Sequence, residues 1–143
     1  MNIEFDNIKT ASAIPGAAAM IETFRAIGYS LETAVADIVD NSISASAKNV
    51  WINRIWKGGD SIITIRDDGH GMSGDEIIQA MRPGAQNPLI ERSATDLGRL
   101  GLGLKTASFS QCRTLTVMSK IQGQSPEFWT WSLDHVAQCD RWE

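Results

Sequence analysis

Three groups of residues in this chain have the types and spacing to do chemistry. Asp37 and Asn41 stand four residues apart, so on a helix they share one face. A carboxamide oxygen can ligate a hard cation such as Mg2+ directly, while a neighbouring carboxylate orients and deprotonates a water. Asp40 offers the same carboxylate if the helix is turned differently. Asp67 opens the run Asp67-Asp68-Gly69-His70-Gly71-Met72, directly after the apolar stretch Ser61 to Arg66. A carboxylate at a strand end can accept a hydrogen bond from an exocyclic amine, and Gly69 and Gly71 let a planar ring approach the backbone. The third group is Gly98-Arg99-Leu100-Gly101-Leu102-Gly103-Leu104-Lys105. Glycines opening a helix leave free amides and a dipole that attract phosphate, and Lys105 adds a point charge.

Taken singly, each group also fits a structure without chemistry: a solvated polar stripe, an ordinary Asp-Gly turn, a glycine loop. Other site types are excluded. The Asp67 run lacks the further acidic ligands and closing glutamate of an EF-hand. A dinucleotide fingerprint needs a strand immediately before its glycines, and here a polar loop precedes them. Lys105-Thr106 lacks the Gly-x-x-x-x-Gly-Lys frame of a Walker loop. His70 has no ligand pattern around it and reads as a solvated or hydrogen-bonded loop residue. Cys112 and Cys139 have no metal-type spacing and read as two reduced thiols of a cytoplasmic protein.

The elements that must position these groups are legible. A helix is expected over Pro15 to Ile27, with proline in its first turn and Gly28 ending it in a left-handed conformation. Ser30 can cap a second helix, with Glu32 in its first turn and Leu31, Ala34, Val35, Ile38 and Ala45 forming one buried face. Val50 to Trp56 and Ser61 to Arg66 predict two strands joined by the hairpin chemistry of Lys57-Gly58-Gly59-Asp60. Ser73 to Met81 predicts a short helix, Arg82 to Asp96 a loop, and a further helix begins near Gly101 and runs through Phe109. Thr114 to Met118 and Phe128 to Ser132 alternate like two more strands, followed by a short polar stretch. The expected fold class is α+β, a two-layer sandwich with helices on one face of a mixed, mainly antiparallel sheet.

Bulk properties narrow the partners. The chain has 143 residues, enough for one domain with a real core. Its apolar share of 43% is ordinary for a globular protein. A formal net charge of −4 gives no basic field to attract a phosphate backbone, so direct nucleic-acid contact is not expected. The mixed, acidic N-terminus is not a signal peptide, and the run Ala17 to Ile21 falls far short of the roughly 18 apolar residues of a membrane span.

The three groups, taken in order, resemble the Bergerat-type ATP-binding fold of the GHKL superfamily, shared by gyrase, the large heat-shock chaperones, histidine kinases and MutL proteins. Asp37-Ile38-Val39-Asp40-Asn41-Ser42 resembles the N-box, Asp67-x-Gly69-x-Gly71 the first glycine box, and Gly98-x-x-Gly101-x-Gly103 the second. Val39 to Ala45 and Gly101 to Lys105 are most similar to MutL- and MORC-type ATPases and their bacterial relatives. The resemblance implies ATP and Mg2+ as cofactors, with Asn41 binding the metal and Asp37 in the general-base position. It implies that Asp67 receives the adenine amino group, with Gly69, Gly71 and Met72 at the base. Arg82 to Gly98 would form a lid, and Gly98, Gly101, Leu102, Gly103, Leu104, Lys105 and Thr106 would hold the phosphates, Lys105 also neutralising charge during catalysis. The resemblance also implies a late-strand threonine at the adenine site, for which Thr114, Thr116 and Thr130 are candidates, a position beyond Glu143 being the alternative.

Two departures from the family pattern stand out. Hydrolysing members carry glutamate where this chain has Asp37, which implies slow hydrolysis, and the MutL and MORC pattern has aspartate where this chain has Ser44. The resemblance implies a single ATP-binding domain over 1–143, cut before its final strand and without the downstream transducer domain. ATP would close the lid and drive homodimerisation of the full-length protein. A histidine-kinase-type phosphotransfer domain and a non-hydrolysing interaction module are the competing expectations.

Overall fold

The computed structural model describes residues 9, 11–84 and 103–143. Helix α1 spans Ala17–Arg25 and α2 Leu31–Ser44, with Gly28 between them at φ +78°, the left-handed stop its position predicts. The α1 N-cap, Gly16, has no side chain to satisfy the first-turn amides. Asp140, from the far end of the chain, supplies that cap by accepting the Ala18 N–H at 2.9 Å.

Strands β1 (Val50–Ile55) and β2 (Ile62–Asp67) form an antiparallel hairpin in which Val50 pairs with Asp67. Its turn is a short 3-10 segment, Gly58–Asp60, with Gly58 at φ +57°. The Trp51 ring lies 4.4 Å beneath the Arg66 guanidinium on one face of this hairpin. Helix α3 (Gly74–Met81) starts with a complete capping box between Ser73 and Glu76. After the residues outside the description, α4 covers Gly103–Gln111, and β3 (Thr114–Ser119) pairs antiparallel with β4 (Glu127–Ser132).

The core gathers Ile21 and Phe24 of α1, Ile77 and Met81 of α3, Phe109 of α4 and Trp131 of β4. Leu115 and Val117 pack against it from the inner face of the second hairpin, while Met118 and Phe128 stay exposed on the outer face. Helices therefore cover one face of the antiparallel β3–β4 pair, the α+β layering expected from the sequence. Among the described residues the hydrogen-bonded ladders are two, β1–β2 and β3–β4. Arg25 secures α4 from its C-terminal end, donating from Nη1 to the carbonyls of Phe109 at 2.7 Å and Cys112 at 3.1 Å.

Two local expectations need correction. The stretch after β4 is not merely polar chain: Leu133–Cys139 forms helix α5, with Leu133 and Val136 fully buried and Ser132 accepting the His135 N–H. The Ser132 cap and Asp134 in the first turn were its signals; seven residues were too short for periodicity to show. On α2, Leu31 is exposed and the buried residues are the small Ala34 and Ser42, because α2 lies against α4 and close helix contact favours small side chains.

Candidate functional site

Helix α2 begins as its sequence requires, with Ser30 Oγ accepting the Thr33 N–H at 3.3 Å. Ala34 and Ser42 mark the stripe turned toward the protein, and helical geometry puts Asp37 and Asn41 along its border. Asp37 is half-buried and Asn41 exposed. A Cβ added to Gly103 would sit 3.9 Å from Asp37 Oδ2, so this carboxylate stands beside Gly103, the first residue of α4.

Asp67 ends β2, and both its oxygens are held by the protein. Oδ2 accepts the Ser42 hydroxyl at 3.1 Å and Oδ1 the Gly69 N–H at 2.9 Å. The side chain remains exposed, so it is aimed without being used up. Ser42 is the site residue that sequence reasoning missed. It stood inside the quoted N-box, but no local signal joins a helical serine to an aspartate 25 residues away.

The adjacent Asp68 does a different job. Its carboxylate accepts the backbone N–H groups of Lys48 and Asn49 and the Asn49 side-chain amide, at 2.7 to 2.8 Å. These bonds, led by the Asn49 amide, hold its pKa down to about 2. Asp68 thus ties the turn to the α2–β1 connection and leaves Asp67 facing α2.

The glycines of this turn serve its own packing. A Cβ on Gly69 would come 2.8 Å from the Ala45 Cβ, and one on Gly71, at φ +75°, would overlap the Lys120 carbonyl. The His70 N–H donates to Ala45 O at 3.1 Å, and the Met72 N–H to Ser119 Oγ at 2.8 Å. The turn is therefore laid across the end of α2 and pinned to the end of β3. Gly71→Ala is expected to destabilise the fold by at least about 1–3 kcal/mol, from left-handed strain alone, in a chemical denaturation experiment.

Asp37 thus stands beside the start of α4, and the Ser42–Asp67 bond ties the aimed carboxylate of β2 to the helix that bears Asp37 and Asn41. The family model for "Histidine kinase-, DNA gyrase B-, and HSP90-like ATPase" matches residues 29–143. The chain belongs to this family. It is also similar to "ATPase morc-1" of Caenorhabditis elegans, 31% identical over 91 residues, covering 64% of this chain and 10% of that protein. Two "DNA mismatch repair protein MutL" sequences match comparably. That of Thermus aquaticus is 35% identical over 97 residues (66% of this chain, 17% of the relative), and that of Aeromonas salmonicida 37% over 98 residues (66% and 15%). The chain spans less than a fifth of the length of these relatives.

This GHKL ATPase family binds ATP, usually with Mg2+. The donor set fits both: Asp37 and Asn41 offer hard oxygen ligands on one helical face, and Asp67 offers a fixed acceptor for an amine. Met72 is half-buried and packs against the core. Leu104 is half-buried, and Thr106 is buried with its hydroxyl 3.5 Å from Gly103 O. Gly98, Gly101, Leu102 and most of the expected lid, from 85 onward, lie outside the described residues. Thr116 and Thr130 bond to one another on the outer face of the second hairpin, and Thr114 is exposed. None of the three is joined to the Asp67 turn; Ser119 is the late-strand hydroxyl that meets it, at Met72. Among the described residues no helix is long and apolar enough to cross a membrane.

Lys105 is placed differently from the expectation. It is 2% exposed, and its Nζ donates to the Ala80 carbonyl at 2.8 Å, in the last turn of α3. The ammonium satisfies the end of a helix instead of joining Asp37 and Asn41. Burial pulls its pKa down to about 8 from the ordinary 10.5. Between those values the unfolded chain binds the proton that the folded chain has released, so stability from this group rises with pH across the window. Wild-type protein is expected to gain denaturant resistance relative to Lys105→Met between pH 8 and pH 10, which paired unfolding curves at the two pH values will measure.

Proposed function

We propose that this chain is a Mg2+-dependent ATP-binding module that hydrolyses ATP slowly, and that it works as a nucleotide-driven switch within a longer protein. The observation that carries this reading is the Ser42–Asp67 bond, which locks the amine-accepting carboxylate to the helix bearing Asp37 and Asn41. Asp67 accepts the adenine amino group, with Met72 and the glycine turn beside the base. Asn41 supplies an oxygen for Mg2+, whose charge, when bound, offsets that of the phosphates. The amides opening α4 at Gly103 and Leu104 receive phosphate oxygens. Asp37, beside that helix start, accepts a proton from the attacking water, so catalysis rests mainly on positioning and on charge compensation.

In this reading Lys105 secures α3 while nucleotide is absent and adds charge at the phosphates only on leaving Ala80. Lid closure over bound ATP, homodimerisation and coupling to domains beyond this unit belong to the same proposal. Equilibrium binding of ATP to the chain with and without Mg2+, combined with phosphate release, tests it. Mg2+-dependent ATP binding with measurable turnover is expected. An absence of nucleotide binding under both conditions overturns it.

A further inference from the structure

On α5, His135 and Cys139 stand one helical turn apart and Glu143 folds back toward them. Their ligand atoms, an imidazole nitrogen, Sγ and a carboxylate oxygen, all lie within 4.8 Å of one another. His135 Nε2 and Glu143 Oε1 are 3.8 Å apart. A tetrahedral zinc ion with bonds of about 2.0–2.3 Å needs its ligand atoms roughly 3.3–3.8 Å apart. The nitrogen–oxygen pair lies within a few tenths of an ångström of its spacing, and rotamer changes of the exposed His135 and Glu143 bring both toward the half-buried Cys139 Sγ. We propose that His135, Cys139 and Glu143 form a Zn2+ site with a water in the fourth position.

The third ligand is held in place by packing. Asp140 takes a left-handed conformation at φ +50°, which turns the chain back after α5, and its carboxylate is fixed on the Ala18 N–H of α1. Trp142 then packs against Phe24 and edge-on against Trp131, at centroid distances of 6.5 and 6.1 Å. Glu143 follows directly, so its backbone is anchored on both core aromatics. The end of α5 adds a negative dipole that favours a cation.

The donor chemistry selects the metal. Thiolate, imidazole and carboxylate together suit zinc better than the all-oxygen ligands that Mg2+ or Ca2+ prefer. Three protein ligands and one open position distinguish this from a closed structural site. Binding displaces the Arg141 guanidinium, now 2.9 Å from Glu143 Oε1, and releases the Cys139 thiol proton to solvent. Among the described residues no other three His, Cys, Asp or Glu side chains converge in this way. The consequence of binding is mechanical: the ion clasps α5 to the segment that caps α1.

Cobalt titration of the reduced 143-residue chain, followed by zinc back-titration, tests this directly. One equivalent of Co2+ is expected to give a thiolate-to-cobalt charge-transfer band that Zn2+ abolishes, and Zn2+ is expected to raise the melting temperature. Cys139→Ser should lose the band, and Cys112→Ser should keep it. His135→Ala and Glu143→Gln should each weaken zinc binding by at least the roughly tenfold seen for loss of an outer-shell partner. The proposal is overturned by a band that survives Cys139→Ser, by no band in the wild type, or by zinc affinity that ignores both His135→Ala and Glu143→Gln.

Discussion

Replacing Asp37 by asparagine is expected to lower Mg2+-dependent phosphate release by about 10²–10⁴-fold, the range that general-base catalysis contributes. ATP affinity should hold or tighten, because the carboxylate removed stands beside the α4 start, the proposed place of the anionic phosphates. Asparagine keeps the shape of the side chain, so the contact between α2 and α4 survives. Asp37→Glu is the informative counterpart. It extends the carboxylate by one methylene, and because misplacement of about 1 Å costs on the order of a hundredfold, turnover should rise toward that factor. Single-turnover phosphate release by the three proteins, with affinity measured separately, decides the matter. Equal rates in all three would remove Asp37 from the chemistry while leaving the binding site intact.

What the sequence made visible and what it hid follow one physical division. Capping signals act within a turn, so Ser30 marked the start of α2 from local sequence, and the short helix expected from Ser73 begins there with a capping box. Asp37, Asn41 and Asp67 could be proposed from the sequence, since the reading rests on residue type and local spacing. Contacts across the fold were not. Ser42 is one more polar residue on a helix until β2 brings Asp67 to it, and Gly69 and Gly71 look like openings for a ring until Ala45 and Lys120 occupy that space. Lys105 shows the same limit most sharply. A lysine after glycines suggests phosphate, yet the packing of α4 against α3 carries its ammonium to the Ala80 carbonyl. His135 and Cys139 were likewise invisible as a pair because α5 itself was read as polar chain.

Asp67→Asn is expected to weaken ATP binding by roughly 10- to 100-fold, equivalent to the 1.5–3 kcal/mol of a hydrogen bond to a charged group. The amide can preserve the local structure, since its oxygen still accepts the Gly69 N–H and its nitrogen can donate to Ser42 Oγ. The loss therefore reports on the ligand and not on the turn. Inosine triphosphate sharpens the experiment, because it carries a carbonyl where adenine carries the amine. The wild-type carboxylate should discriminate strongly for ATP, and the asparagine variant, able to donate, should lose that preference or reverse it. Ser42→Ala should produce the same trend at smaller size, about two- to tenfold, because it frees Asp67 without changing its charge. Isothermal titration of both nucleotides against the three proteins separates the outcomes. If ATP and the inosine nucleotide lose affinity equally, Asp67 supports the pocket's shape and the base is read elsewhere; if only ATP suffers, the carboxylate aimed by Ser42 is the group that selects adenine.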